Sequence, residues 1–547
     1  MFAMERLRKT VYLFVWVVLA GLFVAPLANL VSRLNISAAQ AALSNSTTVS
    51  AIINTLHLSF TVALLSVVLG ACLAWVLNRT DLPGRNMFLE TLSLPYSIPP
   101  FVGAIGWIIL ANPQSGILNQ FFNLNMNVYS FSGLVFVETS FIFAFAMMTT
   151  SSSLSQMDPS LEEAARVSGA TPLQVLKDIS LPLLMPNLIT SFVVAFVATA
   201  ASFGVPAMIG GPARIYFMTT QIYQNQRMAT EAGLNSSIAI SAMLMAGTFL
   251  ILFLSQKWSQ KSFAMVSGKT AKPSIIRLGP LRPFVALLVA AFAFVVFILP
   301  MGSVVLSAFS EVQGKWSFTN LGLNNFYRVF NENQETLPGI FNSLWLALVC
   351  STIVVLFSFV VSYMTTKTNY SGRRISNTVL GIPFSTPGTV LALALILTFS
   401  QGYFGLGPSL YNTFGLLIIA YFLKYFSVGH ASVQNAFQQI HISLEEASLI
   451  SGANWIQTLR HIYLPLLRLP MLTAMFLVFM PVLSELTMSV LLTGPGLETI
   501  GTMIFSLQEY SDVGGGGAAV LSTIILAFVV CLRTLIHVLR NIQKGTL

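Results

Sequence analysis

SLEEAARVSGATPLQVLKDISLPLL (residues 160–184) and SLEEASLISGANWIQTLRHIYLPLL (residues 443–467) are two copies of one segment, with 15 of 25 positions identical at an offset of 283. That offset is close to half of the 547-residue chain. A charged segment repeated this closely in two otherwise apolar halves predicts a fused pair of one module, each half presenting the same surface to the same kind of partner.

The local chemistry of the segment predicts a compact helix-turn-helix. Asp158 and Pro159 lead into Ser160, with Glu163 three residues later, and Ser443 and Glu446 repeat that spacing, which is that of a capping box at a helix start. Glu162, Glu163, Glu445 and Glu446 fall in the first turn, where the helix dipole favours negative charge. Gly169 and Gly452 then stop each short helix as left-handed residues just past its end. Leu181 and Pro182, or Leu464 and Pro465, close a second apolar stretch.

Around this polar segment the chain is 55% apolar and only 8% charged, with mean hydropathy +0.78. A soluble protein carries about 25% charged residues. The bilayer is therefore the expected solvent, and the fold class is an all-α integral membrane protein. Stretches long enough to span it lie near 11–32, 52–77, 87–110, 133–153, 184–208 and 236–256, and again near 284–307, 341–366, 377–400, 413–434, 469–492 and 517–540. The first is too long for a signal peptide. These about 12 helices divide into a first repeat (1–257), a cytoplasmic linker (258–282) and a second repeat (283–547), two tandem parallel six-helix repeats each with a cytoplasmic helix. The repeat also covers LPYSIPPFVGA from Leu94 against IPFSTPGTVLA from Ile382, 288 residues apart. Pro95, Pro99, Pro100, Pro383 and Pro387 recur there and break helix hydrogen bonding at membrane depth.

The net charge of +9 is scattered singly through short loops, which excludes the clustered patch of a nucleic-acid binder. It reports topology instead. With both termini in the cytoplasm, 21 of 27 Lys and Arg residues face inward, and five (Arg33, Arg214, Arg227, Lys315 and Arg328) face out, as the positive-inside rule expects. Both repeated segments then face the cytoplasm.

At these residues the chain resembles the permease subunits of type I ATP-binding-cassette importers, whose cytoplasmic EAA loop reads EAA, three residues, G, nine residues, I, one residue, LP. Glu163, Ala164, Ala165, Gly169, Ile179, Leu181 and Pro182 match it in full; Glu446, Ala447, Gly452, Ile462, Leu464 and Pro465 match with Ser448 at the second alanine. The flanks ASFGVPAMIGGPARIYFMTTQIY from Ala201 and LSELTMSVLLTGPGLETIGTMIF from Leu483 are similar to those of fused ferric-iron importer permeases, a clade that also resembles transporters of 2-aminoethylphosphonate, thiamine and polyamines. The resemblance implies a bacterial inner-membrane location, two copies of a cytoplasmic ATPase docked on the paired loops, and a periplasmic or extracellular substrate-binding protein. ATP and Mg would reside on the ATPases.

No catalytic constellation is expected in the chain itself. Ser267–Thr270 end like a phosphate-binding loop, but Phe263 stands where the motif needs its first glycine. The five histidines lack zinc-ligand spacing, and Cys72, Cys350 and Cys531 sit in apolar runs as expected core residues. Within the spans, Glu485 and, near an outer end, Glu138 are candidates for the substrate path, since an embedded carboxylate costs a few kcal/mol unless it faces a cavity, is paired or is protonated. Structural pairing, of Glu485 with Lys424 for example, is the alternative. A twelve-span secondary transporter driven by an ion gradient is the competing function, and it leaves the duplicated loops unexplained.

Overall fold

The computed structural model describes residues 2–259, 275–367, 372–510 and 516–545. The linker residues Lys261, Lys269 and Lys272, the segment Ser267–Thr270, and Asp512 and Gly514 lie outside them. Among the described residues there is no strand, only isolated bridges.

Among the described residues ten helices are long and apolar enough to cross a membrane: α1 (Thr10–Ser32), α2 (Ser46–Arg79), α3 (Phe131–Gln156), α4 (Pro172–Ala200), α5 (Glu231–Ser255), α6 (Gly279–Phe309), α7 (Thr336–Lys367), α8 (Phe414–Gln439), α9 (Ile456–Leu483) and α10 (Gly516–Thr534). The remaining two expected spans are not single helices. The third span of the first repeat is a pair, Arg85–Ser97 and Pro100–Ala111, bent by 100°. Its counterpart is Arg373–Ser385 followed by Gly388–Phe399. Both breaks fall at the expected prolines: Pro99 is the extended residue before Pro100, and Pro387 is the extended residue before Gly388. The fifth and eleventh spans stop at Ala200 and Leu483, earlier than hydropathy suggests. The apolar runs continue because the following loops are buried, with Phe203, Val205 and Ile209 in one and Leu486, Met488 and Leu492 in the other.

The helices sort into two compact units that draw on both sequence repeats. One unit comprises residues 1–40, 225–245 and 334–503, so α1 lies with α7, α8 and α9. Within it Phe23 of α1 packs edge-on against Phe422 and Phe426 of α8, and Asn29 donates to Leu397 O and Thr398 Oγ1. The other unit comprises residues 41–224, 246–333 and 504–547, so α6 and α10 lie with α2, α3 and α4. There Gly106, in the helix after the 100° bend, faces Pro300 of α6, and Ser303 Oγ donates to Gly106 O. Each unit thus takes its first span from the opposite repeat.

Both units contain the same close helix crossing, with its small residue placed differently. A Cβ on Gly70 of α2 would lie 2.7 Å from the Met147 amide and 2.8 Å from Ala146 Cβ on α3. In the other unit the glycine is Gly429 on α8, 283 residues after Ala146, and it faces Val354 and Ser358 of α7. Ser358 is itself 288 residues after Gly70. The approach has been kept while the glycine changed helices, as expected where packing of backbones holds spans together in lipid. Gly70→Val is expected to cost about 1–3 kcal/mol through overpacking, and Ser358→Val much less, read as detergent-solubilised thermal stability.

The three cysteines divide. Cys350 is buried as expected, but Cys72 and Cys531 are exposed on the protein surface. Apolar composition of a span does not distinguish its packed side from its exposed side, and these two thiols fall on the latter.

Candidate functional site

The first repeated segment begins with the helix Pro159–Val167. Its start differs from the expected Ser160–Glu163 box. Asp158 is the N-cap and accepts from the Ser160 amide at 2.9 Å, which holds its carboxyl below the usual carboxylate range. Pro159, lacking an N–H and pre-set for helix, takes the first helical position and moves the cap upstream. The reciprocal box lies instead at Thr171 and Gln174: Gln174 N donates to Thr171 Oγ1, and Thr171 N donates to Gln174 Oε1 at 2.8 Å. The second segment repeats both corrections at an offset of 283. His441 Nδ1 receives the Ser443 amide, and Asn454 and Gln457 exchange the reciprocal pair. Gly169 and Gly452 are left-handed as expected, at φ of +90° and +80°.

Glu162 and Glu445, the first acidic residues of each helix, prove to be its anchors. Glu162 is 1% exposed and its carboxylate lies 3.0 Å from Arg79 Nε at the end of α2. Ser180 Oγ donates to the same carboxylate at 2.8 Å, and Arg79 Nη2 donates to Leu154 O at 3.1 Å. One buried carboxylate therefore ties the helix Pro159–Val167 to the ends of α2 and α3 and to the first turns of α4. In the second copy the charge is replaced by phenols: Tyr463 Oη donates to Glu445 Oε2 at 2.6 Å and Tyr363 Oη to Oε1 at 3.3 Å. Tyr463 stands 283 residues after Ser180, so the anchoring positions match although their chemistry does not. Sequence reading gave Glu162, Glu163, Glu445 and Glu446 one shared ATPase-coupling role. The signal for Glu162 and Glu445 as anchors was available in the pairing of each with a polar residue 18 positions on.

With the first glutamate turned inward, buried in the first copy and half-buried in the second, the opposite face is bare. Glu163 and Ala164 are exposed, as are Glu446 and Ala447; Ala165 and Ser448 are half-buried, and Ser448 Oγ lies 3.0 Å from Thr458 Oγ1. Apolar side chains stand on the surface at matched positions: Val167 and Ile450 are 89% and 87% exposed, flanked by Leu161 and Leu173 in one copy and Leu444 and Ile456 in the other. Such apolar groups on a polar loop mark an interaction surface.

The embedded carboxylates are also related by the repeat. Glu138 lies on α3, buried, and among the described residues its carboxylate accepts only from Ser202 Oγ, at 2.6 Å. Ser202 O in turn accepts from Thr219 Oγ1 at 2.7 Å. At an offset of 283 these positions become Tyr421 and Glu485, so the acid has moved from the helix to the loop. Glu485 accepts the Met488 and Ser489 amides, each at 2.9 Å, and Ser489 Oγ bridges to Tyr421 Oη at 2.7 Å. That is the geometry of a helix cap for Ser489–Leu492, within buried loop backbone. Lys424 Nζ donates to Thr386 O at 2.6 Å, at the C-terminal end of Arg373–Ser385, where a helix dipole favours a cation. Glu485 and Lys424 thus both stabilise broken backbone, whereas Glu138 has a single hydroxyl partner.

The family described as the inner membrane component of binding-protein-dependent transport systems matches residues 66–265 and 359–543, once in each repeat and over more than half of the chain. A ferric transport system permease protein of Actinobacillus pleuropneumoniae is 25% identical over 478 residues, covering 85% of this chain and 68% of its own length. An Fe(3+)-transport system permease protein of Haemophilus influenzae is 26% identical over 481 residues, covering 87% of each. A sulfate transport system permease protein of Synechocystis is 27% identical over 212 residues, 37% of this chain and 76% of its own. Relatives of this kind are transport permeases, not enzymes. With two family matches, two anchored copies of the repeated segment and an all-helical membrane fold, the chain belongs to the inner membrane components of binding-protein-dependent transport systems, as a fused permease of the ATP-binding-cassette importers.

Proposed function

We propose that this permease imports ferric iron, handed over by an external binding protein, and that two copies of a cytoplasmic ATPase drive it by seating on the segments that begin with Pro159–Val167 and Ile442–Ile450. The observation that carries the reading is the matched pair of apolar residues, Val167 and Ile450, displayed on helices whose reverse faces are fixed by Glu162 and Glu445. A surface that is apolar, duplicated and rigidly backed suits a mechanical coupling to two identical subunits. ATP-driven closure of the ATPases would move both helices and, through them, switch the spans between two packed arrangements with the path open outward or inward. Coupling contacts fall to Glu163, Ala164, Ala165 and Gly169 in one copy and Glu446, Ala447, Ser448 and Gly452 in the other. Both termini and both segments face the cytoplasm in this reading.

Iron is favoured over sulfate by coverage and by charge. The two ferric relatives span both repeats, whereas the sulfate relative spans about a third of the chain. Glu138 is a buried carboxylate with one hydroxyl partner, which a passing cation would stabilise and a sulfate would not. Its role is a transient stop on the path; Glu485, saturated by amides, contributes to the path chiefly by shaping the loop. The test is stimulation of ATP hydrolysis in vesicles by binding proteins loaded with ferric iron, 2-aminoethylphosphonate, thiamine, spermidine or sulfate. Stimulation by the iron-loaded protein alone is expected, reduced about tenfold or more in Glu138→Gln. Stimulation by another cargo would replace iron with that cargo while leaving the ATPase docking intact.

A further inference from the structure

Away from the repeated segments, the end of α2 and the start of α6 enclose a cleft of about 440 Å³. Its walls are pinned by backbone pairing: Ile276 N donates to Arg79 O at 2.8 Å, Asp81 N donates to Ile276 O at 3.2 Å, and Leu278 N donates to Asp81 Oδ1 at 2.9 Å. The lining includes Thr80, Asp81, Gly84, Arg85 and Arg282. Arg85 and Arg282 are exposed, and neither side chain makes a hydrogen bond or an ion pair among the described residues. Asp81, the acidic residue of the lining, is already engaged by the Leu278 amide. Two guanidinium groups therefore share one open cleft whose single carboxylate, Asp81, leaves it a net positive charge that suits an anion.

The cleft's position narrows the anion. α2 ends at Arg79, the bent pair begins at Arg85 and α6 begins at Gly279, so the ends of three candidate spans meet around it, the depth at which a surrounding bilayer would give way to headgroups. The guanidinium fork matches phosphate oxygens bidentately, and basic pockets between spans at this depth take acidic headgroups. We propose that the Arg85–Arg282 cleft binds a phosphate anion, and that its source is the headgroup of an acidic phospholipid of the surrounding membrane. The site is independent of the transported substrate.

The full chain, delipidated in detergent, would be titrated with phosphatidylglycerol or phosphatidylcholine and read by native mass spectrometry. Phosphatidylglycerol is expected to bind more tightly, and the Arg85→Gln/Arg282→Gln variant to lose about tenfold or more of that affinity with phosphatidylcholine binding unchanged. Arg460→Gln/Arg468→Gln removes the same charge elsewhere and should retain the wild-type affinity. Size-exclusion profiles matching wild type establish that the variants are folded, and Arg85→Lys/Arg282→Lys, which keeps the charge, should recover part of the loss. Unchanged phosphatidylglycerol binding in the Arg85/Arg282 variant, or an equal loss in the control, would overturn the proposal. Displacement of the lipid by millimolar inorganic phosphate would overturn the assignment to a headgroup and place a soluble phosphate there.

Discussion

Replacing Glu162 with alanine is expected to destabilise the first repeated segment by about 3–5 kcal/mol, because it leaves Arg79 as a buried charge without its counterion. The loss should appear as early proteolysis within residues 157–181 and as a lower unfolding temperature in detergent. Removing both charges together, Arg79→Leu with Glu162→Leu, is expected to be far milder, since a buried pair repays little more than its own desolvation. The second copy supplies an internal comparison. Glu445→Ala strands two neutral phenols instead of a charge, so about 1–3 kcal/mol is expected there. Equal losses at Glu162 and Glu445 would show that the Arg79 pair does not hold the helix in the way described.

The second large effect concerns binding rather than stability. Val167→Asp and Ile450→Asp change side chains that are almost wholly exposed, so each should leave the fold stable to within about 0.5 kcal/mol. If these residues are the apolar centres of two docking surfaces, the double substitution should weaken association with the ATPase by about 30-fold or more. Co-purification of the ATPase and its affinity for the reconstituted permease both read this. Loss of thermal stability without loss of binding would instead mean that Val167 and Ile450 pack against the permease itself.

Much of this was legible in the sequence because it rests on local rules. The doubled segment, its left-handed Gly169 and Gly452, and the proline breaks near Pro99 and Pro387 are each fixed by neighbouring residues. What was not legible depended on partners distant in the chain. The roles of Glu162 and Glu163 follow from where Arg79 and Ser180 lie, and spacing along one helix cannot report that. The N-caps at Asp158 and His441 sit two residues outside the repeated text, so the spacing of the repeated letters placed the caps at Ser160 and Ser443 instead. Hydropathy extended the fifth and eleventh spans into loops that are apolar because they are buried. The exchange of first spans between units is likewise invisible to a repeat search, which compares segments with their copies and not with what they touch.

ATP hydrolysis by the partner ATPase in lipid vesicles containing this chain, with and without loaded binding protein, tests most directly whether the repeated segments are the coupling elements. Stimulation by loaded binding protein is expected for the wild type and is expected to disappear in the Glu163→Arg/Glu446→Arg variant, whose substituted side chains are exposed and whose fold should remain intact. Full stimulation in that variant, with the ATPase still bound, would contradict coupling through these two helices.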